Sequence, residues 1–578
     1  MRFRRIPFWS MLLVLLPLAA AAATPVAQVM DNGAEDGDTH VVASDRLPPQ
    51  ELSAKVLYQL LLAEIAGQRD RPTLAVSTYL ELARTTHDPR ISQRATEVAL
   101  FARNGKAALE ASRLWVTQDP DSDRARQTLS GLLVSEGKLS EAKPYLEQML
   151  AKAGPQTGAL FMTLHSLLYR HQDKAAVQEL VDALAKPYPA MPEAHYAKAL
   201  AALDAGHTDA ALASIRTANG QRPGWEAGAL LQGQILSQGK SDQPARAYFT
   251  EFLQKYPAAQ DVRLFFARML VDGKDFPGAR QQFEAILKAA PDNADYTMAV
   301  GLLSIQLQDF DAAEKYLQTV LKLGGREPDT VRFYLGQIRE ERQDWAGAAQ
   351  WYGAVESGDQ FVPARMRIAA MLARQNRLQE GRDLLHSLPA ETPEQRVLLV
   401  QADGQLLGEA KKYKEAWDVL AEGLKKVPDS ADLLYDRAMM AEKMDRLDLL
   451  ETDLREVIKL KPEHAHAYNA LGFTLADRTT RYQEALVLIR KAVELAPGDP
   501  FIIDSLGWVQ FRLGQFDEAA VTLKDAFGRQ PDPEIAAHLG QVLWAQGNKD
   551  EARKIWNTNL QQHPDSDALR AVVAAHPL

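Results

Sequence analysis

Three short stretches of this 578-residue chain carry residue types that could do chemistry. His464 and His466, separated by one Ala, are a candidate pair of metal ligands. The run NGAEDGD (32–38) gathers carboxylates as a calcium loop does, and GGREPD (324–329) has glycines of the kind that cradle phosphate. Each falls short of what its chemistry requires. A metal site needs further ligands, and no third histidine stands at helical spacing from His464 and His466, which fall at a polar junction. The acidic run lacks the glutamate that closes a calcium loop at its twelfth position, so it is expected to be solvated linker. GGREPD lacks the Lys and Ser or Thr of a phosphate loop, and neither HExxH nor GxSxG occurs anywhere. Paired acids such as Glu340 and Glu341 suit a solvated helix face. The absence of cysteine removes thiolate metal sites, cysteine nucleophiles, disulfides and lipid attachment through a thioether. No catalytic, cofactor or metal residue is assigned, and the chemistry expected is binding.

The elements that would position a binding surface repeat. Residues 506–533 read LGWVQFRLGQFDEAAVTLKDAFGRQPDP, with Gly507, Ala519, Leu523, Ala526 and Pro531 as a frame. The frame returns at Gly540, Ala552, Trp556 and Pro564, at Gly336, Ala348, Tyr352 and Val355, and more loosely at Gly233, Ala245, Phe249, Phe252 and Pro257. Prolines that follow helical runs are spaced by 33 to 35 residues from Pro120 to Pro291 and from Pro428 to Pro564. A period of 34 with this frame resembles the tetratricopeptide repeat, a pair of helices joined by a short turn. The small residues let two helices cross closely, the large one fills the gap they leave, and proline stops the second helix. Turns such as RLGQFDEA, AQGNKDEA, SQGKSDQPA and VDGKDFPGA are expected to place their glycines at positive φ. The fold predicted is all-α, a tetratricopeptide-repeat superhelical solenoid of about 14–15 helix pairs, degenerate over 51–123 and regular over 124–578. The spacing also degrades between Pro328 and Pro393, yet VPARMRIAAMLARQNRLQEGRDLLHSL (362–388) keeps a helical period.

The first 50 residues are of another kind. Arg2, Arg4 and Arg5, the apolar MLLVLLPL (11–18) and Ala19–Ala23 predict a signal peptide over 1–23, cut after Ala23. Its apolar core is too short to span a bilayer. Residues 24–50 mix acids, Gly and Pro without a helical period and predict a flexible acidic linker. A net charge of -10 excludes broad nucleic-acid binding, which needs a basic face. The expected location is the periplasm, with no transmembrane segment after signal cleavage.

In such repeats the first helix turns its second, fifth, ninth and twelfth positions to the groove. These are His466, Asn469 and Phe473, then Phe501, Asp504, Trp508 and Phe511, then Gln541 and Trp544. Phe473, Trp508, Phe511 and Trp544 therefore point to one surface, as a partner-binding run or as packing between neighbouring first helices. At the other end Leu57, Leu60, Leu61, Glu64 and Ile65 share a face of the first helix, with Tyr79, Leu80 and Leu82 crowding the second. A terminal repeat is normally polar outside. This one is apolar, so Leu57, Leu61 and Ile65 are candidate protein-binding residues, unless residues 47–52 fold back over them.

Two longer stretches, LLLAEIAGQRDRPTLAVSTYLELARTTHDPRISQRATEVAL (60–100) and NALGFTLADRTTRYQEALVLIRKAVELAPGDPFIIDSLGWVQFRLGQFDEAAVTLKDAF (469–527), resemble a family of proteobacterial exported tetratricopeptide proteins. Its described member is an outer-membrane lipoprotein adaptor of a carboxyl-terminal processing protease in Pseudomonas. The resemblance implies a noncatalytic scaffold that binds the protease at its N-terminal end and delivers peptidoglycan hydrolase clients to it. This chain departs from the family in having no cysteine for a lipid anchor. Two alternatives stand beside that reading: a scaffold of an envelope secretion or polysaccharide-export machine, and an enzyme hidden in the degraded middle repeats.

Overall fold

The computed structural model describes residues 47–48, 53–239 and 241–576. The signal peptide and nearly all of the linker lie outside the described residues, as do residues 49–52. Among the described residues there are thirty-one α-helices and no strand. Numbered α1 to α31 in chain order, they form fifteen helical hairpins and one closing helix, so odd numbers are first helices and even numbers second helices. The all-α repeat architecture is as expected. No described helix is long and apolar enough to cross a membrane.

Local chemistry sets the helix ends. Ser53, Asp88, Ser122, Asp499, Asp532 and Ser566 each accept a backbone N–H from the first turn of the helix that follows, a bond worth about 1 kcal/mol per helix. Pro72, Pro89, Pro500 and Pro533 take the first helical position, where a missing N–H costs nothing.

One contact fastens several of the regular hairpins. A Cβ placed on Gly507 would stand 2.5 Å from Leu523, one on Gly540 2.0 Å from the Trp556 indole, and one on Gly233 1.8 Å from the Phe249 ring. The large residue is therefore a knob seated in a hole that only glycine leaves open. The same interval of sixteen residues joins Gly336 to Tyr352 and Gly404 to Leu420. In the middle, where the spacing degrades, α18 (Trp345–Gly353) and α20 (Leu378–His386) have only nine residues each. In the second of these hairpins a close approach persists with its glycine on the other helix: a Cβ on Gly381 of α20 would meet the Ala369 carbonyl oxygen of α19 (Phe361–Arg374) at 2.6 Å.

The turns follow expectation at Gly514 and Gly547, with φ of 81° and 88°. In VDGKDFPGA the left-handed residue is Lys274, φ 58°, because Gly273 still caps the helix through its own N–H. Gly239 in SQGKSDQPA is not left-handed either.

Contacts divide the chain into two compact units, one ending at Gly325 and one beginning at Arg326. The division falls in the Gly-Gly loop between α16 (Phe310–Lys322) and α17 (Pro328–Glu341), which is the role GGREPD plays. In the second unit α21 (Pro393–Glu409) packs on α23 (Ala431–Lys443), α25 (Ala465–Arg478) on α27 (Pro500–Arg512), and α27 on α29 (Pro533–Ala545). Its first helices thus adjoin one another on one side of the layer.

Candidate binding surfaces

The N-terminal end is built from α1 (Ala54–Gln68) and α2 (Pro72–Thr86). Ala63 and Ala66 of α1 are buried, and small side chains there bring the helix down onto α2. Tyr79, Leu80 and Leu82 are buried as well, so the crowding on α2 is interior packing. Glu64 turns inward: it accepts a bond from the Tyr79 hydroxyl and one of 3.1 Å from Arg94 of the next hairpin. Arg94 and Tyr79 together hold the Glu64 carboxyl below its usual range, while burial and Glu64 push Tyr79 up to about 12. With these residues committed inside, the opposite stripe is left outside. Leu57, Leu61 and Ile65 are 42%, 51% and 49% exposed, at intervals of four that place them on one line. Tyr58, 65% exposed, extends the patch, and an i, i+1 neighbour of Leu57 at the edge of an apolar stripe was the signal for it.

The C-terminal aromatics divide into two groups. Trp508 stacks on His538 at 4.4 Å between ring centroids, lies 5.2 Å from Phe511, and His538 in turn meets Phe473 at 6.0 Å. Trp544 turns away to Trp556 at 5.9 Å and His576 at 4.7 Å, with Lys549 and Arg553 over its faces. The first group is centred on a histidine that the groove positions missed, because His538 occupies the sixth place of its helix. Its Nδ1 lies 2.9 and 3.0 Å from the two carboxylate oxygens of Asp504 on the neighbouring first helix. Burial opposes a charge on this ring, yet Asp504, Glu534 and Asp477 carry its pKa above the ordinary imidazole value. Trp508 is only 8% exposed, so it is mostly packing, whereas Phe501, at the second groove position, is 45% exposed.

A cross-helix bond at the matching places occurs three repeats earlier. The amide of Gln401, fifth in α21 when places are counted so that Gly404 is eighth as Gly507 is in α27, donates to Asp436, at the sixth place of α23, at 2.6 Å. Fifth and sixth places of successive first helices therefore share one surface.

His464 and His466 do not converge on anything a metal would need. His464 caps α25, its Nδ1 accepting the Ala467 N–H at 3.1 Å, and its ring lies 5.1 Å from Tyr435. It is a half-buried cap and not a free surface group, and burial lowers its pKa. Among the described residues no cluster of three metal-ligating side chains occurs.

Comparison with known proteins agrees with this architecture. Sequence models of the tetratricopeptide repeat match residues 243–303 and 510–575, and a second such model matches 301–363. A TPR repeat-containing protein of Pseudomonas aeruginosa is 43% identical over 485 residues, which is 84% of this chain and 82% of that protein. The cellulose synthase operon protein C of Pseudomonas fluorescens is 25% identical over 244 residues, 40% of this chain and 18% of its own length. Among solved structures, a tetratricopeptide repeat protein from Parabacteroides merdae is 14% identical, spans 42% of this chain and 96% of its own, and superposes with a TM-score of 0.34.

Proposed function

Because this chain belongs to the tetratricopeptide-repeat family, we propose that it is a noncatalytic periplasmic adaptor. One end holds a carboxyl-terminal processing protease, and the first-helix face presents peptidoglycan hydrolase clients to it. A repeat array of this kind is a protein-binding scaffold, with long continuous faces and no need of a catalytic cleft. The observation that carries the finer reading is the apolar stripe Leu57, Leu61 and Ile65 on the terminal helix. A terminal repeat of an isolated scaffold is polar on its outer side, whereas this one offers a line of aliphatic side chains with Tyr58 beside it. The family resemblance of residues 60–100 supplies the protease as the partner for that end.

Removal of residues 24–85 tests the reading. The truncated protein is expected to lose copurification with the protease from envelope extract and to keep its clients. Undiminished copurification of the protease would overturn the assignment.

A second reading, a scaffold of a polysaccharide-export machine, draws support from the partial similarity to the cellulose synthase operon protein. It expects export components, and no protease, among the copurified proteins.

A further inference from the structure

The first-helix face of the second unit has a one-sided charge. From α21 to α29 the second, fifth, sixth, ninth and twelfth places hold Asp432, Asp436, Glu442, Asp504 and Glu534, and not one Lys or Arg. Basic residues of these helices are spent elsewhere. Arg437, next to Asp436, turns to α24 (Leu447–Leu460) and meets both oxygens of Asp453 at 2.6 and 2.8 Å. Two of the five acids have partners, Asp432 with Lys461 at 2.9 Å and Asp504 with His538.

Asp436 does not. It is half-buried, it receives the Gln401 amide, and among the described residues no cation lies within ion-pair distance of it. Burial pushes its pKa up, the Gln401 bond opposes this, and Asp432 adds to it. A carboxylate removed from water without a cation is costly, and the cost falls when a partner brings one. Around it the face is apolar, with Met439 on the same helix, Phe473 on the next and the exposed Phe501 on the one after.

We propose that this face binds an extended polypeptide segment that carries Lys or Arg among apolar side chains, with Asp436 receiving the cation. Complementary charge selects the segment, and the aromatic and thioether side chains hold its apolar residues. The inference rests on the scaffold reading but not on the protease, because it concerns the client's chemistry alone.

The test uses the full mature chain and a pair of synthetic twelve-residue peptides that differ only in having Lys or Glu among Phe and Leu. The Lys peptide is expected to bind, the Glu peptide to bind at least about tenfold more weakly, and Asp436→Asn to reduce affinity for the Lys peptide by about tenfold. Asp436→Asn keeps the shape and the Gln401 contact, and circular dichroism checks its helix content. Asp418→Asn, on a second helix, serves as the control and leaves binding unchanged. Equal affinity for both peptides, binding of neither, or a correctly folded Asp436→Asn protein with full affinity would each overturn the inference. Protease copurification is read separately, so a failure here leaves the adaptor assignment standing and the reverse also holds.

Discussion

At its C-terminal end the array covers its own core, and at its N-terminal end it leaves a line of aliphatic side chains in water. The closing helix α31 (Asp567–Ala575) lays Leu569 and Val572 against α29 and α30 (Lys549–Gln562), and Trp556 beneath is fully enclosed, its indole N–H donating to the Ala537 carbonyl at 3.2 Å. At α1 the helix turns its small residues and Glu64 inward and keeps Leu57, Leu61 and Ile65 outside. Both termini are built from the same hairpin. The difference teaches that the repeat does not by itself dictate how an end is finished: one end is closed by an added helix, and the other keeps an apolar stripe exposed.

The largest effect should come from breaking the closed end. Trp556→Ala removes a knob and leaves a cavity, which is expected to cost about 3–5 kcal/mol in the second unit. Denaturant titration with a probe in that unit measures it. The same kind of substitution at the open end should do the opposite. Leu57→Ser with Leu61→Ser and Ile65→Ser is expected to change stability by less than about 0.5 kcal/mol per site, since these side chains are already in water. Binding of the partner should nevertheless fall at least about tenfold, because apolar anchors are worth up to about 2 kcal/mol or more. A large loss of stability in this variant would mean that the stripe is interior after all.

The ends should also respond to pH in opposite senses. His538 has a raised pKa, so the stability it adds is complete below the ordinary value of 6.5 and is lost as pH rises through its folded value. Glu64 has a lowered pKa, so its contribution is present above 4.5 and is lost as pH falls through its folded value. Stability profiles of His538→Ala and Glu64→Gln against the parent should therefore diverge from it at acid pH for the first and at neutral pH for the second. The smallest effect concerns the turns. Asp70 in the first hairpin has φ 55° where the last hairpin has Gly547 at 88°. Asp70→Gly is expected to stabilise by about 0.5 kcal/mol, and Gly547→Ala to destabilise by about 1 kcal/mol. Thermal melts resolve both.

Sequence alone made the hairpins legible because the fastening is written in two residue types at a fixed interval. Gly507 with Leu523 and Gly540 with Trp556 are a hole and its knob, and few other arrangements tolerate both. Where the hole moved to the second helix, as at Gly381, the frame vanished from the text while the contact remained. The end stripe was legible for the same reason, as a helical spacing of large aliphatics. The binding surface was less so. Counting within a repeat puts Trp508, Phe511 and Trp544 on one line, whereas in the structure Trp544 pairs with Trp556 and His538 takes its place beside Trp508. Side-chain rotation about a helix is decided by neighbours one repeat away, and counting within a repeat does not contain them. Lys274 and Gly273 show the same limit at the scale of one residue, since a helix that runs on by one position moves the left-handed residue with it.

The interval from Gly507 to Leu523 also bears on how quickly so long a chain can find its structure. The fastening within a hairpin closes a loop of sixteen residues, and the contact to the following hairpin reaches only about one repeat further along the sequence. Loop-closure entropy grows with the logarithm of the distance closed, and folding slows as contacts become more remote in sequence. Here none of these contacts waits for distant parts of the chain to meet. The time needed is set by a pair of neighbouring hairpins and not by 578 residues, so a chain delivered from its N-terminus can lay down each hairpin on the one before it as it emerges.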